Sequence, residues 1–240
     1  MDVALERRTL AAEDDHWWYR GRRAMVADAV RRSVPSGPGL RILDAGCGGG
    51  AVLAVVSAFG DAVGLEPSPL SRGRAAARRA GEVVDGHLER LPFADHSFDL
   101  AICLDVLEHL DDDRAGLAEL RRVVRDGGSL VVTVPAHPRL WSRHDELNHH
   151  RRRYTRAGLA GAAASAGWSV ARLTHFNSIL LPVALVGRRL DRSDGLDVPP
   201  RPINGALAAI LGAERRLIAA GVSFPVGLSL LAELRPGPGS

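Results

Sequence analysis

The chain has 240 residues, 46% hydrophobic and 25% charged, which suits one α/β domain, or one with an elaborated cap, and a core that needs no staples. Its 31 basic residues, every one an arginine, are offset by 28 acids spread along the chain to a net charge of +3, so no long basic track speaks for nucleic acid. No apolar run approaches the ~20 residues of a spanning helix, MDVALERRTLAAEDD lacks the apolar segment of a secretion signal, and Cys47 and Cys103 sit in apolar strand-like runs as reduced core residues, so a cytoplasmic protein is expected.

Taken in chain order, EDDHWWYRGRR (13–23) lies on an N-terminal helix, with residues 1–36 preceding the core. LRILDA (40–45) reads as the first strand and AVLAVVSAF (51–59) as the helix behind it. DAVGLEP (61–67) is the second strand, SRGRAAARRA (71–80) an arginine-faced helix, and EVVDG (82–86) a short third strand. SFDLAICLDV (97–106) is apolar throughout, as a strand buried on both faces should be. A helix over 112–125 places Leu117, Leu120, Val123 and Val124 on one face, and GGSLVVTVPA (127–136) is the fifth strand. After a long connection (137–154), a helix over 155–167 has Thr155 as N-cap and Gly167 as its stop, and WSVARLTHF (168–176) is the sixth strand. Two further helical segments fill 177–225 around a turn-rich linker, DRSDGLDVPPRP; VGLSLLAELRP (226–236) is the last strand and GPGS a loose tail. This alternation predicts a parallel sheet with helices on both faces.

LDAGCGGG (43–50) ends a strand and opens a helix. Its glycines let backbone approach a ligand closely, and the helix start behind them offers free N–H groups. Asp44 stands in the turn itself, where a carboxylate repels a pyrophosphate and welcomes an ammonium. Glu66 ends the second strand about 20 residues on, where an acid takes ribose hydroxyls. A cofactor with a ribose and a cationic amino-acid tail but no phosphates fits both: S-adenosylmethionine.

LDAGCGGG, GLEPSPLS, ERLPFADHSFDLAICLDVLEHL and GGSLVVTVPA, in that order, resemble the class I S-adenosylmethionine-dependent methyltransferases, most closely the small-molecule branch with LPF and LEH motifs. The resemblance implies a Rossmann-like seven-stranded sheet with helices on both faces, an N-terminal helical lid (1–36), a cofactor-binding core (37–176), a helical insertion before the last strand (177–225), and that strand with the tail (226–240). It implies that Asp44, Gly46 and Gly48 line the methionine part of the cofactor, Glu66 binds the ribose, Pro67 and Ser68 lie under the adenine edge, and Leu88 and Glu89 flank the adenine. Leu104 and Asp105 face the sulfonium. GHLERLPF departs from the family's GDAERLPF, so His87 replaces an acid that elsewhere bonds the adenine amino group.

Three segments compete for the methyl transfer. In DVLEH (105–109), His109 would deprotonate an acceptor, or Glu108 and His109 simply cap the following helix. Methyltransferases of RNA ends and quinone precursors use a similar acid-x-x-Glu-His set with a distant histidine to hold a divalent metal; here that set is Asp105, Glu108 and His109, with His137, His144 or His150 beyond it. HDELNHHRRRYT (144–155) resembles an HD-x4-H-x-RRYT segment over the family's acceptor pocket. There His144, Asp145 and His150 supply a base, and His150, Arg152, Arg153 and Tyr154 contact the substrate; alternatively Arg153 and Asp145 brace the loop with Tyr154 packed beneath. Trp17 and Trp18 of the opening helix wall the acceptor pocket or anchor the lid. The expected activity is O- or N-methylation of a small-molecule acceptor in bacterial secondary metabolism, by a monomer or homodimer. The alternatives are a lipid-linked or glycan acceptor met by peripheral membrane contact, and a non-catalytic S-adenosylmethionine-binding partner protein.

Overall fold

The runs expected as strands from position 41 onward form β1 (Arg41–Ala45), β2 (Asp61–Leu65), β3 (Glu82–Val84), β4 (Phe98–Leu104), β5 (Val124–Pro135), β6 (Trp168–Phe176) and β7 (Ser229–Pro236). The computed structural model describes residues 2–34, 39–190 and 197–237, which hold all seven strands in one sheet of order β3-β2-β1-β4-β5-β7-β6. The first five run parallel, and β7 is antiparallel to both β5 and β6. Strand order reverses between β1 and β4, and the crevice beyond their carboxyl ends is where an open α/β sheet takes its ligand.

The helices are α1 (Val3–Ala12), α2 (Trp17–Ser33), α3 (Leu53–Val56), α4 (Pro69–Ala77), α5 (Asp113–Val123), α6 (Arg143–Leu147), α7 (Arg156–Ser165), α8 (Leu181–Leu190) and α9 (Arg201–Ala219). Local chemistry sets their ends. Asp112 accepts from the N–H groups of Arg114 and Ala115 to start α5, and Thr155 does the same for α7 through Gly158. Leu117, Leu120 and Val123 are buried under α5, joining one core against one face of the sheet. Met25, Val26 and Val30 of α2 join a second core on the other face.

Several elements differ from the sequence expectation. Only four residues of the 51–59 segment are helical, and beyond it Gly60 tucks tightly against Leu40. β5 starts three residues early, at Val124, which pairs with Phe98 before a bulge restores register at Leu100–Ser129. The N-terminal segment is two helices, broken where Asp15 and His16 both donate to the Ala12 carbonyl and His16 caps α2 by accepting from Trp18 N–H. The expected lid–core boundary at 36–37, residues 191–196 of the linker and residues 238–240 of the tail lie outside the described residues.

The insertion between β6 and β7 is built into the core. A Cβ on Gly21 of α2 would overlap Leu211 of α9, so the bare glycine lets the two helices close on each other. Asn204 of α9 accepts from Trp17 N–H at 2.8 Å and donates to the Asp15 carbonyl at 2.9 Å, tying down the α1–α2 turn. Fully buried Glu214 accepts the N–H groups of Ser178 and Ile179 before α8.

Candidate active site

The glycine turn after β1 builds the first wall. Gly46 has φ +82°, and a Cβ there would stand 2.5 Å from a Val106 methyl, so the position demands glycine twice over. Gly46 and Cys47 both donate to the Leu65 carbonyl, closing the turn onto β2. Gly48 N–H then donates to Glu66 Oε2 and Ser68 N–H to Oε1, each at 2.9 Å, which fixes the Glu66 carboxylate at the end of β2 while leaving its remaining lone pairs open.

Asp44 is 2% exposed, and its Oδ2 has no hydrogen-bond partner. Burial pushes its carboxyl up to about 7; Arg22 pulls it back, while Glu13 and Glu66 push further in the same direction as burial. A buried, unpaired carboxylate is costly unless a cation or donor meets it. Arg22, on α2, donates to Asp105 at the end of β4, and Thr133 Oγ1 donates to the other Asp105 oxygen at 3.1 Å. Sequence reading missed Arg22. The available signal was spacing: it lies four residues after Trp18, on the same helix face.

All ten residues expected around the cofactor, from Asp44 to Asp105, border one cavity of about 990 Å³. That is at the upper end of the range for small-molecule sites. Trp17, Trp18, His109, His144, His150 and Arg153 border it as well. Trp18 also stacks on Phe176 with ring centroids 5.4 Å apart, so wall and anchor are the same residue.

The 137–154 connection is organised by Asp145. Its Oδ2 accepts from Ser142 N–H at 2.8 Å, and its Oδ1 from His150 Nδ1 at 2.9 Å and Arg153 Nε at 2.7 Å. Burial alone would raise this carboxyl, but the bonds from His150 and Arg153 win and hold it far below the ordinary range. Asp145 is fully buried and saturated with donors, and the expected pairing with a histidine is made with His150, whose Nδ1 it holds. Arg152 and Tyr154, expected to contact the substrate, turn elsewhere. The stretch is extended, so alternate side chains face opposite ways. Arg153 points to Asp145, whereas Arg152 binds the carbonyls of Leu110 and Asp111, and Tyr154 OH donates to Asp113 at 2.7 Å; neither of those two borders the cavity.

With Nδ1 held by Asp145, His150 has Nε2 left for the cavity. Its ring lies 4.8 Å from that of His109 and 6.0 Å from that of His144. Burial, then the neighbouring His150, pushes His109 down to about 4, so it is neutral at pH 7 and a weaker base than a free imidazole. His144 has Asn148 Nδ2 3.4 Å from its ring.

Glu108 is fully buried with neither carboxylate oxygen partnered; burial, then Asp105, raises its pKa well above the ordinary value. Among the described residues Glu108, His109 and His150 each offer one ligand atom, all within 4.8 Å of one another. An ion with bonds of about 2.0–2.2 Å would need those atoms to close by several tenths of an ångström. Asp105, the acid first expected in such a set, is instead engaged by Arg22 and Thr133.

Residues 43–132 match the family described as a methyltransferase domain. The ubiquinone biosynthesis O-methyltransferase of Azorhizobium caulinodans is 36% identical over 109 residues, covering 43% of each chain. The chain spans about half the length of the curated relatives it matches. Among solved structures, the methyltransferase in complex with the Haloferax volcanii Trm112 methyltransferase activator superposes with a TM-score of 0.66 at 21% identity, covering 99% of this chain and 96% of that one. The [4+2]-cyclase SpnF gives 0.61 at 19% identity, covering 90% and 81%. The chain has the class I S-adenosylmethionine-dependent methyltransferase fold.

Proposed function

We propose that the chain is an S-adenosylmethionine-dependent methyltransferase acting on an oxygen or nitrogen of a small-molecule acceptor. The observation that carries this is one cavity joining two kinds of residue: Asp44 and Glu66 at one end, His109 and His150 beyond Asp105. The residues fit the cofactor. The orphaned Asp44 oxygen would meet the ammonium, the open lone pairs of Glu66 would take ribose hydroxyls, Gly46 leaves room for close approach, and Pro67 and Leu88 would offer apolar surface to the base. When bound, S-adenosylmethionine supplies a methyl group already activated by its sulfonium. The protein's own work is then to orient the acceptor and take its proton, for which neutral His109 and the Asp145-oriented His150 are placed.

The [4+2]-cyclase SpnF has a similar fold, so the fold alone does not fix the reaction, and a non-catalytic partner protein is the remaining alternative. Transfer of a labelled methyl group from S-adenosylmethionine to fractionated cell extract separates these. Binding without transfer to any fraction would sink the transferase reading.

A second reading is favoured by one observation, the unpartnered Glu108 carboxylate between two histidines. In it, Glu108, His109 and His150 hold a divalent cation that polarises the acceptor oxygen, with Asp145 fixing His150 from behind. Turnover that survives excess chelator rejects it.

A further inference from the structure

Large apolar side chains are unevenly exposed on this molecule. Among the described residues eleven stand out at the surface, and eight of them fall between Ile179 and Val226, in and around the α8–α9 insertion. Scattered singly, such residues need no explanation; gathered in one segment, they mark an interaction surface.

The arrangement within the insertion is ordered. Ile203, Ile210 and Leu217 recur every seven residues, so they form one stripe along α9. Ile203 is 54% exposed and Leu217 45%. Glu214 stands on the same edge of the helix, and its carboxylate takes the N–H groups of Ser178 and Ile179, so the stripe runs beside the start of α8. On α8, Val183 is 65% exposed, while the next residue, Ala184, borders the large cavity. α8 is therefore the wall between this apolar surface and the site.

Charge selects the occupant. Arg201 and Arg216, toward the two ends of α9, are exposed and have no acidic partner among the described residues. Of the segment's described acids, Glu214 is buried at α8 and Asp197 is paired with Arg8 at 2.9 Å. A second segment bordering the cavity repeats the pattern: Trp141, 42% exposed, stands between exposed Arg139 and Arg143, which have no acidic partner among the described residues either. Exposed aliphatic and indole surface flanked by arginine is the chemistry of contact with an anionic bilayer. A second copy of the chain fits less well, since among the described residues a two-fold contact would set these arginines against their own copies without free carboxylates of the insertion to meet them. No helix among the described residues is long and apolar enough to cross a membrane, so attachment is by lying on it.

We infer that the α8–α9 insertion and the Trp141 segment dock this protein on an anionic lipid surface, with the cavity behind α8 fed from the bilayer. The docking stands by itself; that what enters is an amphiphilic methyl acceptor rests on the methyltransferase reading.

The test is flotation of the full chain with phosphatidylglycerol vesicles and, in parallel, with pure phosphatidylcholine vesicles. At low salt the protein floats with the first and not the second. Val183→Asp with Leu217→Asp releases it, and Arg201→Ala with Arg216→Ala lowers partitioning about thirtyfold, at ~1 kcal/mol per arginine. Both double variants keep the wild-type circular dichroism spectrum and affinity for S-adenosylmethionine. Absence of flotation with phosphatidylglycerol overturns the inference, as does flotation indifferent to the two aspartates. A dimer that the aspartates split, without flotation, overturns it in favour of a second copy. A floating protein that binds no S-adenosylmethionine leaves docking intact and strikes the methyltransferase reading alone.

Discussion

Asp145 Oδ1 meets His150 Nδ1 at 2.9 Å, and this one contact decides which nitrogen of the ring faces the cavity. The carboxylate is fully buried and also carries Arg153, so it holds the imidazole without competing for a substrate proton. Asp145→Asn is expected to lower kcat about 10- to 100-fold with cofactor affinity unchanged. Because that change also unpairs buried Arg153, His150→Gln serves as the second variant and should show the same split. Steady-state kinetics beside calorimetric titration of the cofactor checks both; an equal loss in affinity would assign these residues a merely structural role.

The Asp44 carboxyl, pushed up to about 7, makes cofactor binding pH-dependent. Only its ionised form attracts an ammonium, so affinity should rise with pH up to about 7 and level off above. Each unit below costs about tenfold. The sign for folding is the opposite. The folded state holds this proton more tightly than the unfolded chain, whose ordinary value is 3.8, so stability falls as pH rises from there to about 7 and stays lowered above it. Asp44→Asn should therefore melt higher than wild type at pH 8 and equally below pH ~4, while failing to bind S-adenosylmethionine. Thermal melts across that range, with calorimetry, test the pair of outcomes.

Arg22 couples α2 to this behaviour, because it bonds Asp105 and its charge lowers the Asp44 carboxyl. Arg22→Met removes that influence. The midpoint of the pH-dependent affinity should move above 7, and binding at pH 7 should weaken. A midpoint that stays put would mean that Arg22 acts on Asp105 alone.

How far all this could be read in advance follows chain distance. Asp44, Gly46, Gly48 and Glu66 lie in two short strand–turn segments whose spacing carries their chemistry, and all four border the cavity, with Gly48 bonded to Glu66. The alternation of strands was legible for the same reason. Arg22 and Asp105 are 83 positions apart, and nothing local links them. In HDELNHHRRRYT the residue types were informative but their directions were not: a one-residue step in an extended stretch turned Arg153 inward and sent Arg152 and Tyr154 to Asp113. The internal brace of Asp145 and Arg153, one of two open readings, is what the fold adopts.

Gly46 tests whether the turn geometry matters as argued. With φ +82° and a Val106 methyl 2.5 Å from where a Cβ would sit, Gly46→Ala meets both backbone strain and a clash. The variant should lose about 1–3 kcal/mol of stability and bind the cofactor far more weakly. Denaturant titration checks the first and calorimetry the second; wild-type values for both would show that the turn can relax.

Glu108 separates the two mechanistic readings. A fully buried carboxylate with no partner destabilises the fold by itself, so Glu108→Gln in the metal-free protein should melt higher than wild type. If the two histidines work as bases, adding Mn²⁺ or Zn²⁺ leaves the wild-type melting temperature and turnover alone, and excess chelator does the same. If they are ligands, the added ion raises the wild-type melting temperature in proportion to the logarithm of its concentration, and Glu108→Gln abolishes that rise. The stability measurement reads the site without needing the acceptor, so it decides between base and ligand even before a substrate is in hand.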